Sequence, residues 1–109
     1  MEVIQSFLQN VNVVSLAGDL DGNTAPGVQA EIMTLASPNS KLILDMSGVT
    51  FMSSAGLRML LVMYRTITSQ SGKVVLVGLS EDIRDTMLMT GFLDFFTYFD
   101  TLDDGLKTF

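Results

Sequence analysis

Two adjacent serines, Ser53 and Ser54, are the side chains best placed for chemistry in this sequence. They lie between a strand-like segment, Lys41–Asp45, and a helical pattern that begins near Ser54. The first backbone N–H groups of a helix are unpaired and carry the positive end of the helix dipole, so a phosphate there is stabilised. No histidine or cysteine is present to make either serine a nucleophile. The serines are therefore predicted to be targets of modification by another enzyme.

Motifs of catalysis and nucleotide binding are absent around these serines. The segment Ser53–Gly56 does not match the Gly-x-Ser-x-Gly elbow of a hydrolase, and neither a Walker-type phosphate loop nor a Gly-x-Gly-x-x-Gly motif occurs. The alternative for the two serines is structural, because serine is favoured at the position that caps a helix N-terminus. We therefore expect a protein without catalytic residues, in which one serine either caps the helix or accepts a phosphate.

A second candidate is an acidic loop with the spacing Asp19-x-Asp21-x-Asn23, which invites comparison with a calcium-binding EF-hand. An EF-hand loop needs glycine at its sixth position and glutamate at its twelfth, and this sequence has Thr24 and Ala30 there. The mismatch argues against calcium, and no other metal or cofactor site is predicted. A turn in which Asp and Asn side chains bond nearby backbone explains the residues. Asp21 also follows a strand, where open α/β sheets place functional loops.

The elements that must position these loops alternate between strands and helices. Apolar and β-branched runs predict five strands, and apolar residues at helical spacing behind a capping residue predict four helices. Strands are expected at Val3–Phe7, Val11–Ala17, Lys41–Met46, Lys73–Val77 and Phe95–Phe99. One helix is expected from Ser54 to Ser69, and three more are expected directly after the N-caps Thr24, Ser80 and Thr101. The apolar stripe of the helix after Thr24 extends to Ala36.

The order ββαβαβαβα indicates a single α/β domain over residues 1–109, since a chain of 109 residues suffices for one core but not for two. Strands that alternate with helices imply a largely parallel sheet with right-handed crossovers. The first two strands are expected to form a hairpin, which contributes an antiparallel strand at the N-terminal edge of the sheet.

The helix from Ser54 to Ser69 is apolar on two sides. At 100° per residue its core face comprises Leu57, Leu60, Leu61, Tyr64, Ile67 and Thr68. The opposite side carries Ala55, Met59, Val62, Met63 and Thr66, with Arg58 and Arg65 on the flank between them. A surface helix normally has polar residues there, so we expect this second stripe to be a partner surface rather than part of the core. The same stripe would equally serve a homodimer.

Composition excludes several classes of protein. A net charge of −6 with six dispersed basic residues argues against nucleic-acid binding. The absence of cysteine excludes disulfides, and the absence of histidine removes the commonest ligand of transition metals. No apolar run approaches the about 20 residues of a membrane-spanning helix, and Met1–Gln5 lacks the features of a signal peptide. We therefore expect a cytoplasmic protein without membrane insertion.

Three segments together resemble the STAS domain, specifically the bacterial anti-sigma factor antagonist family. They are Gly18–Ala25, Leu44–Leu57 and Thr90–Asp94, and the resemblance covers nearly the whole chain. The middle segment is the most specific, because it keeps in one register Asp45, Ser47, Val49, Phe51, Ser54, Gly56 and Leu57. The resemblance implies a regulatory binding module that is not an enzyme. Such proteins bind an anti-sigma factor that is also a serine kinase, and so free the sigma factor to direct transcription.

The resemblance also implies a phosphorylation switch at Ser54. In the family the kinase phosphorylates the serine at the start of the helix after the third strand, which breaks the complex, and a metal-dependent serine phosphatase restores it. Asp21 corresponds to the acidic residue on the neighbouring loop. The commonest family motif is Asp-Ser-Ser-Gly, whereas this chain has Ser53 in place of the aspartate and Ala55 in place of the second serine. Ser53 is therefore a second, less favoured phosphoacceptor.

The partner is expected to contact the acidic loop and the start of the following helix. The residues predicted for this contact are Asp21, Asn23, Thr24, Ser53, Ala55, Arg58, Met59, Val62 and Met63. A second hypothesis keeps the fold without the switch and makes the chain a STAS scaffold, a ligand-sensing subunit or a transport-accessory subunit. Phosphorylation of Ser53 or Ser54 by a kinase from the same genome separates the two hypotheses.

Overall fold

A computed structural model describes all residues from 1 to 109 and shows a five-stranded sheet with helices on both faces. The strands are β1 (Glu2–Leu8), β2 (Val11–Leu20), β3 (Lys41–Met52), β4 (Lys73–Val77) and β5 (Thr97–Phe99), and they lie in this order across the sheet. β1 pairs antiparallel with β2, and the other neighbours pair parallel. The predicted α/β fold with an antiparallel strand at its N-terminal edge is confirmed.

The helices divide unequally between the two faces of the sheet. α1 (Ala25–Met33), α2 (Ser54–Ser69) and α3 (Glu81–Thr90) cover one face, and α4 (Leu102–Leu106) covers the other. Right-handed crossovers between strands that are neighbours both in sequence and in space put every connecting helix on the same face. The larger core, under α1 to α3, has 22 buried residues. The smaller core, under α4, has five: Val11, Val13, Ile43, Val75 and Val77.

β2 and β3 are longer than their apolar runs predict. β2 continues through Asp19 to Leu20, and β3 continues to Met52. The two extensions pair with each other after two register shifts, with Asp19 opposite Phe51 and Leu20 opposite Met52. Backbone pairing between neighbouring strands therefore holds turn-forming residues in an extended conformation, which local propensity does not reveal.

Two other boundaries differ from prediction. α1 ends at Met33, so Leu35 lies beyond the helix, although it still packs against the larger core. The strand predicted over Phe95–Phe99 is shorter in the structure: β5 begins at Thr97, and Phe95 is the last residue of a 3₁₀ helix, Phe92–Phe95. Tyr64 of α2 packs edge-on against the ring of Phe96 at a centroid distance of 5.1 Å. Phe96, between the 3₁₀ helix and β5, is thereby packed against α2.

The predicted caps of α3 and α4 are confirmed. Ser80 Oγ accepts a hydrogen bond from the Ile83 N–H at 3.2 Å, and Thr101 Oγ1 accepts one from the Asp104 N–H at 3.1 Å. Each bond satisfies a backbone donor that the helix itself leaves unpaired, so these residues determine where the two helices begin.

Candidate functional site

Ser53 caps α2. Its backbone is extended (φ −85°, ψ 175°), and its Oγ accepts a hydrogen bond from the Gly56 N–H at 3.4 Å. The Ser53 N–H donates to the Leu20 carbonyl at 2.9 Å, which ties the start of α2 to the end of β2. The Ser53 side chain is half-buried. The structural role that serine commonly has at a helix N-terminus therefore belongs to Ser53.

Ser54 is the first residue of α2, and its side chain is exposed. It lies in the turn whose backbone N–H groups have no partner within the helix, so the local field favours a negative charge. Arg58 is also exposed and follows four residues later, a spacing that places two side chains on the same face of a helix. The two serines therefore differ, since Ser53 is held by the fold and Ser54 is accessible.

Gly56 allows the first turn of α2 to lie directly against the end of β2. A Cβ atom built on Gly56 would be 2.7 Å from the Leu20 carbonyl oxygen and 2.9 Å from Met52 Cγ. These distances are shorter than side-chain contacts permit, so glycine is the residue that fits without movement. The close approach fixes the position of Ser54 relative to the loop that follows β2.

The loop that follows β2 is held together by hydrogen bonds of Asp21 and Thr24. Asp21 Oδ1 accepts bonds from the N–H groups of Asn23 and Thr24 at 2.9 and 3.1 Å. Thr24 Oγ1 accepts a bond from the Asp21 N–H at 3.0 Å and donates one to the Asp19 carbonyl at 2.8 Å. This is the predicted turn in which polar side chains bond nearby backbone, and the bonds account for the spacing of its acidic residues.

The predicted side-chain cap at Thr24 is wrong, although α1 does begin directly after this residue. The Thr24 backbone is helical (φ −97°, ψ −30°), and its side chain makes no capping bond to α1. Its hydroxyl is turned back into the loop, where it bonds Asp19 and Asp21. The Asp21 carbonyl instead accepts the Ala25 N–H at 2.8 Å. Pro26 lies in the first turn of α1, where its missing N–H costs nothing.

The acidic loop and the first turn of α2 lie side by side. The hydrogen bond between Ser53 and Leu20 joins them, and a Cβ atom built on Gly22 would be 3.9 Å from the Ala55 Cβ. Asn23, at the tip of the loop, is exposed. The structure therefore brings together the two segments that the sequence predicts to form one site.

The predicted apolar stripe of α2 is mostly covered by the protein itself. Met59 is 3% exposed and Met63 is 0% exposed, because α1 packs along this side of α2. The prediction of an exposed stripe is therefore wrong for these two methionines, and both belong to the larger core. Ala55 is half-buried and Val62 is 42% exposed, so these two residues retain accessible surface.

A shallow groove separates α1 from the start of α2. Its volume is about 330 Å³, and it is lined by Gly22, Ala25, Pro26, Gln29, Ala55, Arg58, Met59 and Val62. The sequence patterns did not identify Pro26 and Gln29, although their spacing of three residues places them on one face of α1. Phe51 was not predicted as a contact either; it is 53% exposed and lies three residues before Ser54. The groove beside the start of α2 is thus formed by α1, α2 and Gly22 of the acidic loop.

Comparison with known protein families assigns the whole of this site to one family. The family model of the STAS domain matches residues 4–105. The chain belongs to the STAS domain family. The matched range includes the acidic loop, Ser53 and Ser54, and it leaves out only a few residues at either end.

Two relatives of this STAS domain are named for the same activity. The anti-sigma-B factor antagonist of Bacillus subtilis is 28% identical over 96 residues, which are 86% of this chain and 88% of that protein. A solved anti-sigma factor antagonist from Mycobacterium paratuberculosis is 29% identical with a TM-score of 0.88, and the match covers 98% of this chain and 92% of that one.

The same fold also occurs inside a membrane transporter. The structure of the murine anion transporter Slc26a9 matches with a TM-score of 0.82 at 18% identity, over 93% of this chain but 18% of the transporter. At that identity the likeness shows the fold alone. In this STAS domain no helix has both the length and the apolar character needed to cross a membrane.

The three segments that resemble the family take different places in this STAS domain. Gly18–Ala25 forms the end of β2 and the acidic loop, and Leu44–Leu57 forms most of β3 and the start of α2. These two meet at the carboxyl ends of neighbouring parallel strands, where open α/β sheets carry functional loops. Thr90–Asp94 lies at the end of α3, and its Leu93 is buried in the larger core, so this third segment contributes packing.

Proposed function

We propose that this STAS domain is an anti-sigma factor antagonist that binds an anti-sigma factor with serine kinase activity, and that phosphorylation of Ser54 switches the binding off. The observation that carries the proposal is the division between the two serines, because Ser53 caps α2 and leaves the exposed Ser54 free for modification. The two relatives named as anti-sigma factor antagonists support the same class of function. The proposed role is binding, without catalysis by the domain.

A phosphate at Ser54 is compatible with the fold. A phosphoserine carries about −1.5 to −2 charges at neutral pH. The unpaired N–H groups of the first turn stabilise that charge, and Arg58 lies at the spacing of a favourable ion pair on a helix. The modified domain is therefore expected to stay folded, so the effect of the phosphate must fall on binding.

The surfaces beside Ser54 make the same charge unfavourable in a complex. Two surfaces lie near the start of α2: the acidic end of β2 and its loop, with Asp19 and Asp21, and the groove lined by Gly22, Ala55 and Val62. A partner that contacts both surfaces would enclose the phosphate between carboxylates and apolar groups. Like-charge repulsion and the cost of burying an unpaired charge both oppose such a complex.

Ser53 is the weaker candidate for the phosphate. Its hydroxyl is half-buried and engaged by the Gly56 N–H. A phosphate there would displace the cap, and the loss of a serine cap costs about 1 kcal/mol of helix stability. We propose that Ser53 positions the site, while Asp21, Asn23 and Thr24 form the loop that the partner contacts beside Ser54.

The test begins with phosphorylation by candidate anti-sigma factor kinases from the same genome. The domain is incubated with ATP and each kinase, and the modified residue is mapped by mass spectrometry. We expect phosphate on Ser54, with no modification of Ser54→Ala and continued modification of Ser53→Ala. A phosphate found on Ser53 alone would move the switch to the neighbouring residue.

Binding to the same kinases tests the consequence of the charge. Ser54→Asp is expected to bind about tenfold or more weakly than Ser54→Ala, while both keep the wild-type circular dichroism spectrum. A metal-dependent serine phosphatase should restore the binding of the phosphorylated wild type. Equal affinity of the two variants would refute the switch.

Absence of phosphate on either serine with every kinase would favour the second function, a STAS scaffold, ligand-sensing subunit or transport-accessory subunit without a phosphoswitch. The occurrence of the fold within an anion transporter is the observation that keeps this alternative open. Co-purification of the domain with a membrane transporter, undisturbed by Ser54→Asp, would support it.

A further inference from the structure

The sheet has two edge strands, β1 and the three-residue β5, and the longer one, β1, is apolar for a strand in contact with solvent. β1 is the first strand in the order of the sheet and has β2 as its one neighbour. Six of its seven residues are exposed, among them Ile4 at 55%, Phe7 at 63% and Leu8 at 42%. Edge strands present unpaired N–H and C=O groups, so a long apolar edge strand is a template for pairing with another strand.

β1 lacks the features that usually protect such an edge. Its sequence, Glu-Val-Ile-Gln-Ser-Phe-Leu, has no proline and no lysine, and Glu2 is its one charged residue. The register with β2 is continuous from Glu2 opposite Ala17 to Leu8 opposite Val11, so no bulge interrupts the edge. Every second residue along this strand directs its main-chain N–H and C=O away from β2, so β1 offers a regular set of donors and acceptors to a further strand.

We propose that β1 pairs antiparallel with β1 of a second copy of this chain, so that two sheets join into one continuous sheet across a two-fold axis. A two-fold interface uses the same patch on both copies, so β1 must be complementary to itself. The partners on β2 show which residues share a face. One face carries Val3, Gln5 and Phe7, and the other carries Glu2, Ile4, Ser6 and Leu8.

Any two-fold axis that passes through a residue of β1 keeps each residue opposite a residue of the same face, and the axes at Gln5 and Ser6 are those that place two different apolar residues opposite each other. An axis at Gln5 places Val3 opposite Phe7 of the second copy, and by symmetry this apolar pair occurs twice. Glu2 then lies opposite Leu8, so the two carboxylates are at opposite ends of the interface. Aromatic and β-branched residues in directly opposite positions are among the favourable cross-strand pairs.

The second register has its axis at Ser6 and pairs the five residues Ile4–Leu8 with the same segment of the second copy. It places Ile4 opposite Leu8 of the second copy, again twice, and the Glu2 residues remain far apart. Each register forms one kind of apolar pair twice, Val3 with Phe7 or Ile4 with Leu8, and in neither do like charges meet. The one carboxylate of β1 offers little to a partner of opposite charge, so the strand fits its own copy better than a charged segment of another protein.

Size and charge determine how strong this dimer is. Seven residues from each copy are fewer than the about 20–30 per side of a standard interface, so we expect weak, concentration-dependent association. Each copy carries a net charge of −6, and physiological salt screens that repulsion beyond about 8 Å. The affinity of self-association should therefore increase with ionic strength, whereas the affinity for a basic partner would decrease with it.

Sedimentation velocity of the full chain over a range of protein and salt concentrations is the first test. We expect a monomer–dimer equilibrium that Phe7→Lys or Ile4→Lys weakens about tenfold or more, because lysine on an edge strand opposes pairing. Leu88→Lys and Met89→Lys are matched controls on α3, where the natural residues are 61% and 87% exposed, and they should leave the equilibrium unchanged. A monomer at every concentration, or an equal loss in the controls, would overturn the proposal.

Cross-linking tests the geometry by a different route. The chain has no cysteine, so Gln5→Cys or Ser6→Cys introduces a single thiol. A residue on the two-fold axis faces its own copy at a Cα separation of about 4.5–5.5 Å, which a disulfide spans. One of the two variants should form a covalent dimer under mild oxidation, and the exposed Asp103→Cys on α4 should not. Cross-linking of neither, or of the control to the same extent, would contradict the proposed pairing.

The dimer is independent of the proposed phosphoswitch. The start of β1 lies beside the acidic loop, since Val3 lines a pocket with Asn23 and Thr24, but Phe7 lies towards the opposite end of the strand, where it pairs with Asn12. Ser54→Asp should therefore dimerise like the wild type, and Phe7→Lys should bind the kinase like the wild type. Each proposal can thus fail without the other.

Discussion

The side of α2 that carries Met59 and Met63 and the edge strand β1 are both apolar, but one is buried and the other is exposed. Both place large apolar side chains where a surface element is normally polar. On α2, Met59 and Met63 are 3% and 0% exposed because α1 covers them, whereas Ile4 and Phe7 on β1 are 55% and 63% exposed. The comparison shows that an apolar pattern at the surface of an element predicts packing against another segment. Tertiary structure decides whether that segment belongs to the same chain.

Truncation of Met63 should have the largest effect on the free energy of unfolding, because its side chain is fully buried between elements of the same chain. Met63→Ala removes a fully buried side chain and is expected to lower the free energy of unfolding by about 2–5 kcal/mol. Val62→Ala, one residue earlier and 42% exposed, should change it by less than about 1 kcal/mol. Urea unfolding measures both, and equal costs would mean that α1 does not cover α2 in solution.

The contact between α2 and β2 should be the next most sensitive. Gly56→Ala places a methyl group 2.7 Å from the Leu20 carbonyl oxygen, and overpacking of this kind costs about 1–3 kcal/mol. Gly27→Ala in α1 meets nothing within 4 Å, so it should stabilise the protein by about 0.5–1 kcal/mol through helix propensity. The midpoint temperature of thermal unfolding should therefore fall for Gly56→Ala and rise for Gly27→Ala. A rise for both would show that the first turn of α2 is loosely packed.

The two serines should differ by a smaller amount. Ser53→Ala removes the cap of α2 and is expected to cost about 1 kcal/mol. Ser54→Ala removes an exposed hydroxyl from a position with good helix propensity for alanine, so stability should change by less than about 0.5 kcal/mol. The two are compared by urea unfolding at one protein concentration. The reverse order would assign the cap to Ser54 and weaken its role as the accessible serine.

The smallest effect on the monomer is expected at β1. Ile4→Thr keeps a β-branched side chain in the strand and replaces one that is 55% exposed, so unfolding of the dilute monomer should shift by less than about 0.5 kcal/mol. Its effect should fall instead on self-association at high protein concentration. A large loss of monomer stability would show that Ile4 is packed against other residues of the same chain. Ile4 and Met63 would then no longer differ in burial.

Elements with strong local signals are those that the sequence predicts best. β4 over Lys73–Val77 and α2 over Ser54–Ser69 match their predicted bounds, because an apolar run or a helical period is bounded by capping and turn residues. The meeting of the acidic loop with the start of α2 is also predicted, since both follow neighbouring parallel strands.

What the sequence did not predict depends on contacts between distant residues. Burial of Met59 requires α1 to dock on α2, and the extension of β2 to Leu20 requires the end of β3 beside it. The Thr24 hydroxyl has two local uses, capping α1 or closing the acidic loop, and the fold selects the second. In each case the residue type permits both outcomes, and only the position of a neighbouring segment distinguishes them.

The unequal size of the two cores determines which part of the domain opens first. α4 has five residues and is the helix over the smaller core, where Gly105 lies close to Val77 and Lys73 Nζ donates to the Thr108 carbonyl at 2.6 Å. Because so short a helix buries little area, α4 is expected to detach as a unit while the remainder of the domain stays folded. Amide protons of α4 should then exchange with solvent through this local opening, and those of β3 only through global unfolding.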